Sequence, residues 1–211
     1  MPGQLENLYK LKKADLPRAG LVLADAFQHD PVWTKFFEGV DKNNQQMGAW
    51  YESAIRHCHR YGDVVAPTEH LEGIAGWVPG DLTDMTFWRM IRSGAFRSGM
   101  KMGRSMAGHA QKMRGVFGPV DADRKATMEC RGYIYLLIIG VASEFQGQGF
   151  GGKLLGALIE KSEQDGVPIY LETATERNVR MYEKLGFKLV KQVTLPVINL
   201  PLWEMLRETK K

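Results

Sequence analysis

Thirteen residues, Val141-Ala142-Ser143-Glu144-Phe145-Gln146-Gly147-Gln148-Gly149-Phe150-Gly151-Gly152-Lys153, join an apolar run to a helical pattern and carry four glycines. Glycines let backbone amides approach an anion closely, and the first turn of a helix adds unpaired N–H donors with a partial positive charge. The chemistry this supports is the holding of a phosphate or pyrophosphate. Gly147-x-Gly149-x-x-Gly152 also fits the dinucleotide fingerprint G-x-G-x-x-G, with Glu172 ending the next strand where a ribose-binding acid could stand. Two features weigh against that parse. Five residues, Ala142 to Gln146, separate the strand from the first glycine, and only about sixty residues follow the motif, too few for the repeated units of a doubly wound sheet.

The other parse is Gln146-x-x-Gly149-x-Gly151, preceded by Leu136-Leu137-Ile138-Ile139-Gly140-Val141 and followed by Tyr170-Leu171-Glu172-Thr173 and then Asn178-x-x-x-Tyr182-x-x-x-Gly186-Phe187. Tyr182 stands one helical turn after Asn178, so both share a face. In this order and separation the residues resemble the GNAT superfamily of acyl-CoA-dependent N-acetyltransferases, in detail from Gly132 to Val193. The resemblance implies an α/β (α+β) fold with a mixed central sheet of six to seven strands, splayed after the Gly132–Val141 strand, with helices on both faces. It implies acetyl-CoA as co-substrate and no metal. The amides of Gln146, Gly147, Gln148, Gly149, Phe150 and Gly151, with the helix turn at Gly152, would hold the pyrophosphate. Main-chain groups of Ile139, Gly140 and Val141 would pair with the pantetheine arm, the Val141 N–H near the thioester oxygen. Asn178 would contact the pantetheine or its surroundings, and Tyr182 would give a proton to the coenzyme thiolate.

Acetyl transfer to an amine needs a held donor, a neutral nucleophile, a polarised carbonyl and a proton for the departing thiolate. A phenol near pKa 10 and a thiol near 8.5 are close enough for Tyr182 to serve the last need. The base is less settled, because the glutamate that histone-acetylating members carry early in the strand falls near Tyr135 here. Glu172, beside the gap, is the leading carboxylate, acting through water on an ammonium group; an orienting acceptor or a substrate anchor is the equal alternative. Glu69 and His70 are weaker candidates in a hairpin turn. His57-Cys58-His59 does not make a metal site, since positions i and i+2 of a helix point to different faces. Cys130 has no visible base partner.

The elements that must position these residues can be read from periodicity and punctuation. A weakly alternating edge strand spans Leu5 to Leu11, and Asp15 with Pro17 starts a helix to about Phe27 that His29-Asp30-Pro31 stops. Trp50, Tyr51, Ala54, Ile55 and Cys58 form the apolar stripe of a second helix, from about Asn44 to Arg60. Two strands follow, Val64 to Ala66 and Gly73 to Val78, joined through Thr68-Glu69-His70. After the motif, a helix from Phe150 to Gln164, a strand from Pro168 to Thr173, a short helix from Arg177 to Leu185 closed by Gly186, and strands at Phe187 to Thr194 and Leu202 to Arg207 complete the chain.

Between the third and fourth strands the spacing predicts a helical insertion, about 81–128, within a single domain over 1–211. Helix-forming stretches lie around Asp84 to Ser93 and Phe96 to Arg114, broken by Gly94, Gly99, Gly103 and Gly108, with a short turn or helix near Asp121 to Met128. Residues 81–118 hold six of the eleven methionines and seven basic residues against two acids, so the remainder carries −1 of the formal +4. The expected role is a lid over the acceptor; a solvated flap or a dimer contact is the alternative. The expected reaction is acetyl transfer to an amine, with a small-molecule acceptor favoured over a protein amine. A non-catalytic acyl-CoA sensor or a basic nucleic-acid-binding module is the competing class, although Phe87, Trp88, Phe96 and Phe117 at helical spacing read better as core.

Composition sets the outer bounds. With 211 residues, 44% hydrophobic and 25% charged, the chain has ordinary globular usage. Two cysteines and no basic start followed by an apolar stretch point to the cytoplasm. The longest apolar run, Tyr133 to Ala142, is half of the ~20 residues that a membrane span needs, so no membrane partner is expected and a strand buried on both faces is. Nucleic acid is disfavoured as a partner, and a homodimer is left open.

Overall fold

The computed structural model of the chain describes residues 3, 5–39, 44–102 and 108–210. Its seven strands are β1 (Tyr9–Lys10), β2 (Asp63–Ala66), β3 (Gly73–Pro79), β4 (Ile134–Val141), β5 (Ile169–Thr173), β6 (Lys188–Leu195) and β7 (Leu200–Arg207), in the sheet order β1-β2-β3-β4-β5-β7-β6. All neighbours run antiparallel except β4 and β5, which are parallel. That one parallel pair shares only two rungs, Ile134 with Ile169 and Tyr135 with Tyr170. Beyond Tyr135 the two strands part, as the resemblance implies.

Helices cover both faces. On one lie α1 (Leu16–Ala26) and α3 (Asn44–Tyr61), whose Leu16, Leu23, Tyr51, Ile55 and Cys58 pack with Val64, Ile74 and Ile138. On the other lie α7 (Phe150–Asp165) and α8 (Glu176–Lys184), where Leu154, Leu155, Leu158 and Tyr182 pack with Trp77, Leu136 and Leu171. Full burial of each such aliphatic side chain contributes about 1.5–3 kcal/mol. The continuous apolar run of β4 has a local irregularity. Gly76 pairs with Ile138 and Trp77 with Leu136, so Leu137 has no counterpart and forms a bulge. Strict alternation is broken there: Ile134 and Leu136 pack towards α7, Ile138 towards α1 and α3, and Ile139 towards α7. β4 is therefore not buried on both faces throughout; Tyr135, Leu137, Ile139 and Val141 are only half-buried.

Three expectations are corrected. The edge strand is shortened to two residues because Leu5–Asn7 form a 3-10 turn. Asp30-Pro31 ends α1 but also starts a helix, α2 (Pro31–Phe36): the Asp30 carboxylate accepts the Trp33 N–H at 3.0 Å and Pro31 fills the first turn. The insertion holds α4 (Phe87–Ser93), α5 (Ala95–Lys101) and α6 (His109–Met128), the last running unbroken through Gly118 and Pro119 and absorbing the expected turn near Asp121. Proline inside a helix costs about 3 kcal/mol. The buried stripe Val116, Val120, Arg124 and Met128 offsets that cost and carries α6 onto the sheet. Gly103 lies outside the described residues.

Candidate active site

The fork between β4 and β5 brings most of the expected residues together. Ile139, Gly140 and Val141 pair with Ala75, Ile74 and Gly73 on the β3 side, which leaves their β5 side without a strand partner. Gly140 is required by packing: a Cβ there would stand 2.9 Å from that of Ala26 on α1. From Val141 the chain enters a short 3-10 turn, Ser143–Phe145. Asp25 of α1 accepts the Ser143 N–H at 2.6 Å, and the Phe145 ring meets the Phe150 ring edge-on, so the turn is braced on both sides.

Gly147 and Gly149 adopt φ of +79° and +86°, a left-handed backbone that side chains disfavour. The turn then opens directly into α7, whose capping residue, Gly149, has no side chain to occupy the first amides. A Cβ at Gly152, within the first turn, would meet nothing within 4 Å, so the space beside these donors is open. Gln146 and Gln148 fold back, their amides donating to the Val141 and Glu144 carbonyls, at 3.1 and 3.0 Å. Open amides at a helix start suit a pyrophosphate, so the residues present fit the phosphate end of coenzyme A.

Thr175 starts α8 by accepting the Asn178 N–H. Asn178 is half-buried on this helix. Tyr182, one turn on, is 4% exposed, with its ring against Phe187 at 5.3 Å between centroids. Burial alone pushes its phenol pKa well up. Such a shift favours the protonated phenol, which is the form able to donate a hydrogen bond.

Glu172 occupies the β5 side of the fork, with its side chain 11% exposed. Arg124 of α6 donates to Oε1 at 3.1 Å and Tyr135 of β4 donates to Oε2 at 2.6 Å. Burial pushes the Glu172 pKa up, against the opposing pull of Arg124 and Tyr135. Directly opposite Glu172, on β7, stands Glu204, fully buried, which accepts from the Tyr170 hydroxyl and whose pKa is likewise raised by burial. Arg124 and Glu204 were not among the sequence candidates. The available signal was an arginine in register with Val116, Val120 and Met128, a charge on a core stripe. Tyr135, noted only as a departure, faces Glu172 directly.

Other candidates fall away from the fork. Glu69 and His70 are exposed in the β2–β3 turn. His57 and Cys58 are buried, His57 Nε2 lying 2.7 Å from the Leu82 carbonyl, whereas His59 is exposed. Cys130 is exposed and lines a cleft of about 690 Å³ with Gly62, Trp77 and Tyr133, at the opposite, paired end of β4. Within the insertion, α4 and α5 pack on α3, with Ser98 close to Arg56 and Lys101 on Glu52, and leave Phe87, Trp88, Ile91, Phe96 and Met100 exposed. These aromatics are not core. Phe117 does pack, against Trp33 and Phe36, because α6 rather than α4 or α5 turns inward.

A strand pair parted around an open, glycine-built helix start leaves a site able to hold an acyl-CoA, and the comparisons with known proteins point to the acyltransferases. The model of the acetyltransferase (GNAT) family matches residues 107–187. An uncharacterized N-acetyltransferase of Schizosaccharomyces pombe is 28% identical over 207 residues, covering 94% of this chain and 82% of that protein. A mycothiol acetyltransferase of Propionibacterium freudenreichii is 44% identical over 63 residues, which are 28% of this chain and 20% of that protein. Among solved structures, one from Corynebacterium glutamicum, described as histone acetyltransferase HPA2 and related acetyltransferase, superposes with a TM-score of 0.63 at 19% identity, covering 97% of each chain. A mosquito arylalkylamine N-acetyltransferase like 5b gives 0.55 at 12% identity, covering 95% of this chain and 98% of that one. The family model, the curated relative and the shared fold together support a GNAT superfamily acetyltransferase. Among the described residues no helix is long and apolar enough to cross a membrane.

Proposed function

We propose that the protein moves an acetyl group from acetyl-CoA to the amine of a small molecule by direct attack on the thioester. The observation that carries this reading is the parting of β4 and β5 after two rungs, with the open amides of the glycine turn at the mouth of the gap. Acetyl-CoA supplies an activated acetyl group when bound. The amides from Gln146 to Gly152 hold its pyrophosphate, the unpaired side of Ile139, Gly140 and Val141 takes the pantetheine arm, and Asn178 borders it. A backbone N–H at Val141, fixed in a strand that β3 holds rigid, is preorganised for the negative charge that develops on the thioester oxygen.

Glu172 takes the proton that the acceptor ammonium must lose, directly or through water, so that a neutral amine attacks. Tyr182 donates a hydrogen bond to the departing thiolate. With its proton affinity raised by burial, it holds the thiolate by a hydrogen bond as the C–N bond forms and the C–S bond breaks, and the second proton lost by the nitrogen passes to the thiolate to give the free thiol. A small acceptor suits a fork flanked by α6, which Lys191–Asp123 and Arg124–Glu172 contacts tie to β6 and β5. The chain acts as one domain in which residues 81–128 are an addition. Mass spectrometry of amines incubated with acetyl-CoA and the protein tests this reading. The expected product carries one added acetyl group, and coenzyme A binding with no acetylated product marks a sensor instead.

A further inference from the structure

Arg124 is 2% exposed on a helix stripe whose other members, Val116, Val120 and Met128, are apolar. Taking a guanidinium out of water is costly unless carboxylates and rings replace the lost hydration. Here one guanidinium nitrogen lies 3.1 Å from Glu172 Oε1 and the other 2.7 Å from Asp121 Oδ1. The guanidinium carbon stands 4.2 Å from the centre of the Tyr135 ring. The residue is thus wedged between the inserted helix and the fork.

The groups that face Glu172 come from four elements. Arg124 and Asp121 come from α6, Tyr135 from β4, Tyr170 from β5 itself and Glu204 from β7; Lys191 of β6 stands near Glu204 but is tied to Asp123 of α6. Glu204 opposes a charge on Glu172 and Arg124 is the buried cation that favours it, while the half-exposed Asp121 competes for the same guanidinium. Remove that cation and a nearly buried carboxylate is left facing Glu204, a setting in which it takes up a proton.

We infer that Arg124 is a positioning residue that keeps the Glu172 carboxylate ionised and fixed against Tyr135, which makes the inserted helix α6 a working part of the catalytic centre. The inference rests on the reading of Glu172 as proton acceptor. It divides the insertion in two: α4 and α5 lean on α3, whereas α6 governs the base. Any displacement of α6 that draws Arg124 out of the fork leaves Glu172 protonated and unable to accept.

The test is the pH profile of kcat/KM for acetyl transfer by the full-length protein, from about pH 5 to about pH 10. Arg124→Gln is expected to move the acidic limb up by about 1–3 units, with much of the rate recovered above the new limb, and Arg124→Lys to fall between it and the wild type. Asp121→Asn, which removes an exposed competing carboxylate, moves the limb the opposite way. Equilibrium affinity for coenzyme A stays within about twofold in all three, since none touches the glycine turn. Limbs that coincide with the wild type, or that move in the same direction for Arg124→Gln and Asp121→Asn, overturn the inference. Should Arg124→Gln fail to fold by circular dichroism, the Asp121→Asn shift decides alone. Glu172→Gln is the separate control: an unchanged rate and profile there defeats the reading of Glu172 as base, whatever Arg124 does.

Discussion

The hydroxyl of Tyr135 lies 2.6 Å from Oε2 of Glu172, and this bond joins β4 to β5 at the point where the two strands cease to pair. A hydrogen bond donated to a buried carboxylate is worth about 1.5–3 kcal/mol, so Tyr135→Phe should lower stability by about that much. It also withdraws support from the charged form of Glu172. The acidic limb of kcat/KM should rise, and the rate near neutral pH should fall about tenfold. Denaturant titration and a pH–rate profile on one preparation check both expectations.

Wild-type pH dependence follows from the raised proton affinity of Glu172. A base must be unprotonated to accept, so kcat/KM should climb with pH through an apparent pKa above the ordinary 4.5 of a glutamate, then level off. A profile flat throughout the acid range, with the protein still folded, would remove Glu172 from the proton path.

Tyr182 packs as core yet stands on the helix that borders the fork. Loss of its hydroxyl leaves the ring contact with Phe187 intact, so Tyr182→Phe should fold normally. Turnover should drop about a hundredfold, in the range of a lost acid–base partner, with coenzyme A affinity nearly unchanged. An equal loss in both quantities would assign Tyr182 to binding.

Glycines in this chain do three different things, and alanine separates them. At Gly149 a Cβ would meet nothing within 4 Å, but φ of +86° strains any side chain by about 1–2 kcal/mol, so the turn should shift and coenzyme A affinity fall about tenfold. At Gly62 a Cβ would stand 2.0 Å from the Trp77 carbonyl oxygen, and Gly62→Ala should cost at least about 1–3 kcal/mol with no selective effect on the cofactor. At Gly99, inside α5 with nothing within 4 Å, alanine should stabilise by up to about 1 kcal/mol. Melting curves and calorimetric titration of coenzyme A separate the three.

Much of this was legible in order along the chain. The glycine turn, Asn178 and Tyr182 announce themselves by local spacing, and β4 by an apolar run that only a central strand needs. Helix α2 was hidden because Asp30-Pro31 is equally good punctuation for a stop and a start. The bulge at Leu137 was hidden because every residue around it is apolar and alternation cannot be seen. Arg124 lies 48 residues from Glu172, and nothing local says that an arginine will be buried. Its place on the Val116–Val120–Met128 stripe becomes visible only once α6 is known to run through Pro119 without a break. The exposed aromatics of α4 and α5 misled in the other direction, since helical spacing implies a core that those short helices do not enter.

The most direct measurement is the rate of free thiol release from acetyl-CoA across a panel of small primary amines and a set of protein amines, for the wild type and for Glu172→Gln. The account predicts amine-dependent thiol release with at least one small amine, matched by acetylated product and reduced at least about a hundredfold in Glu172→Gln. Release that ignores the amine, or that occurs only with protein amines, or that is the same in Glu172→Gln, would contradict it.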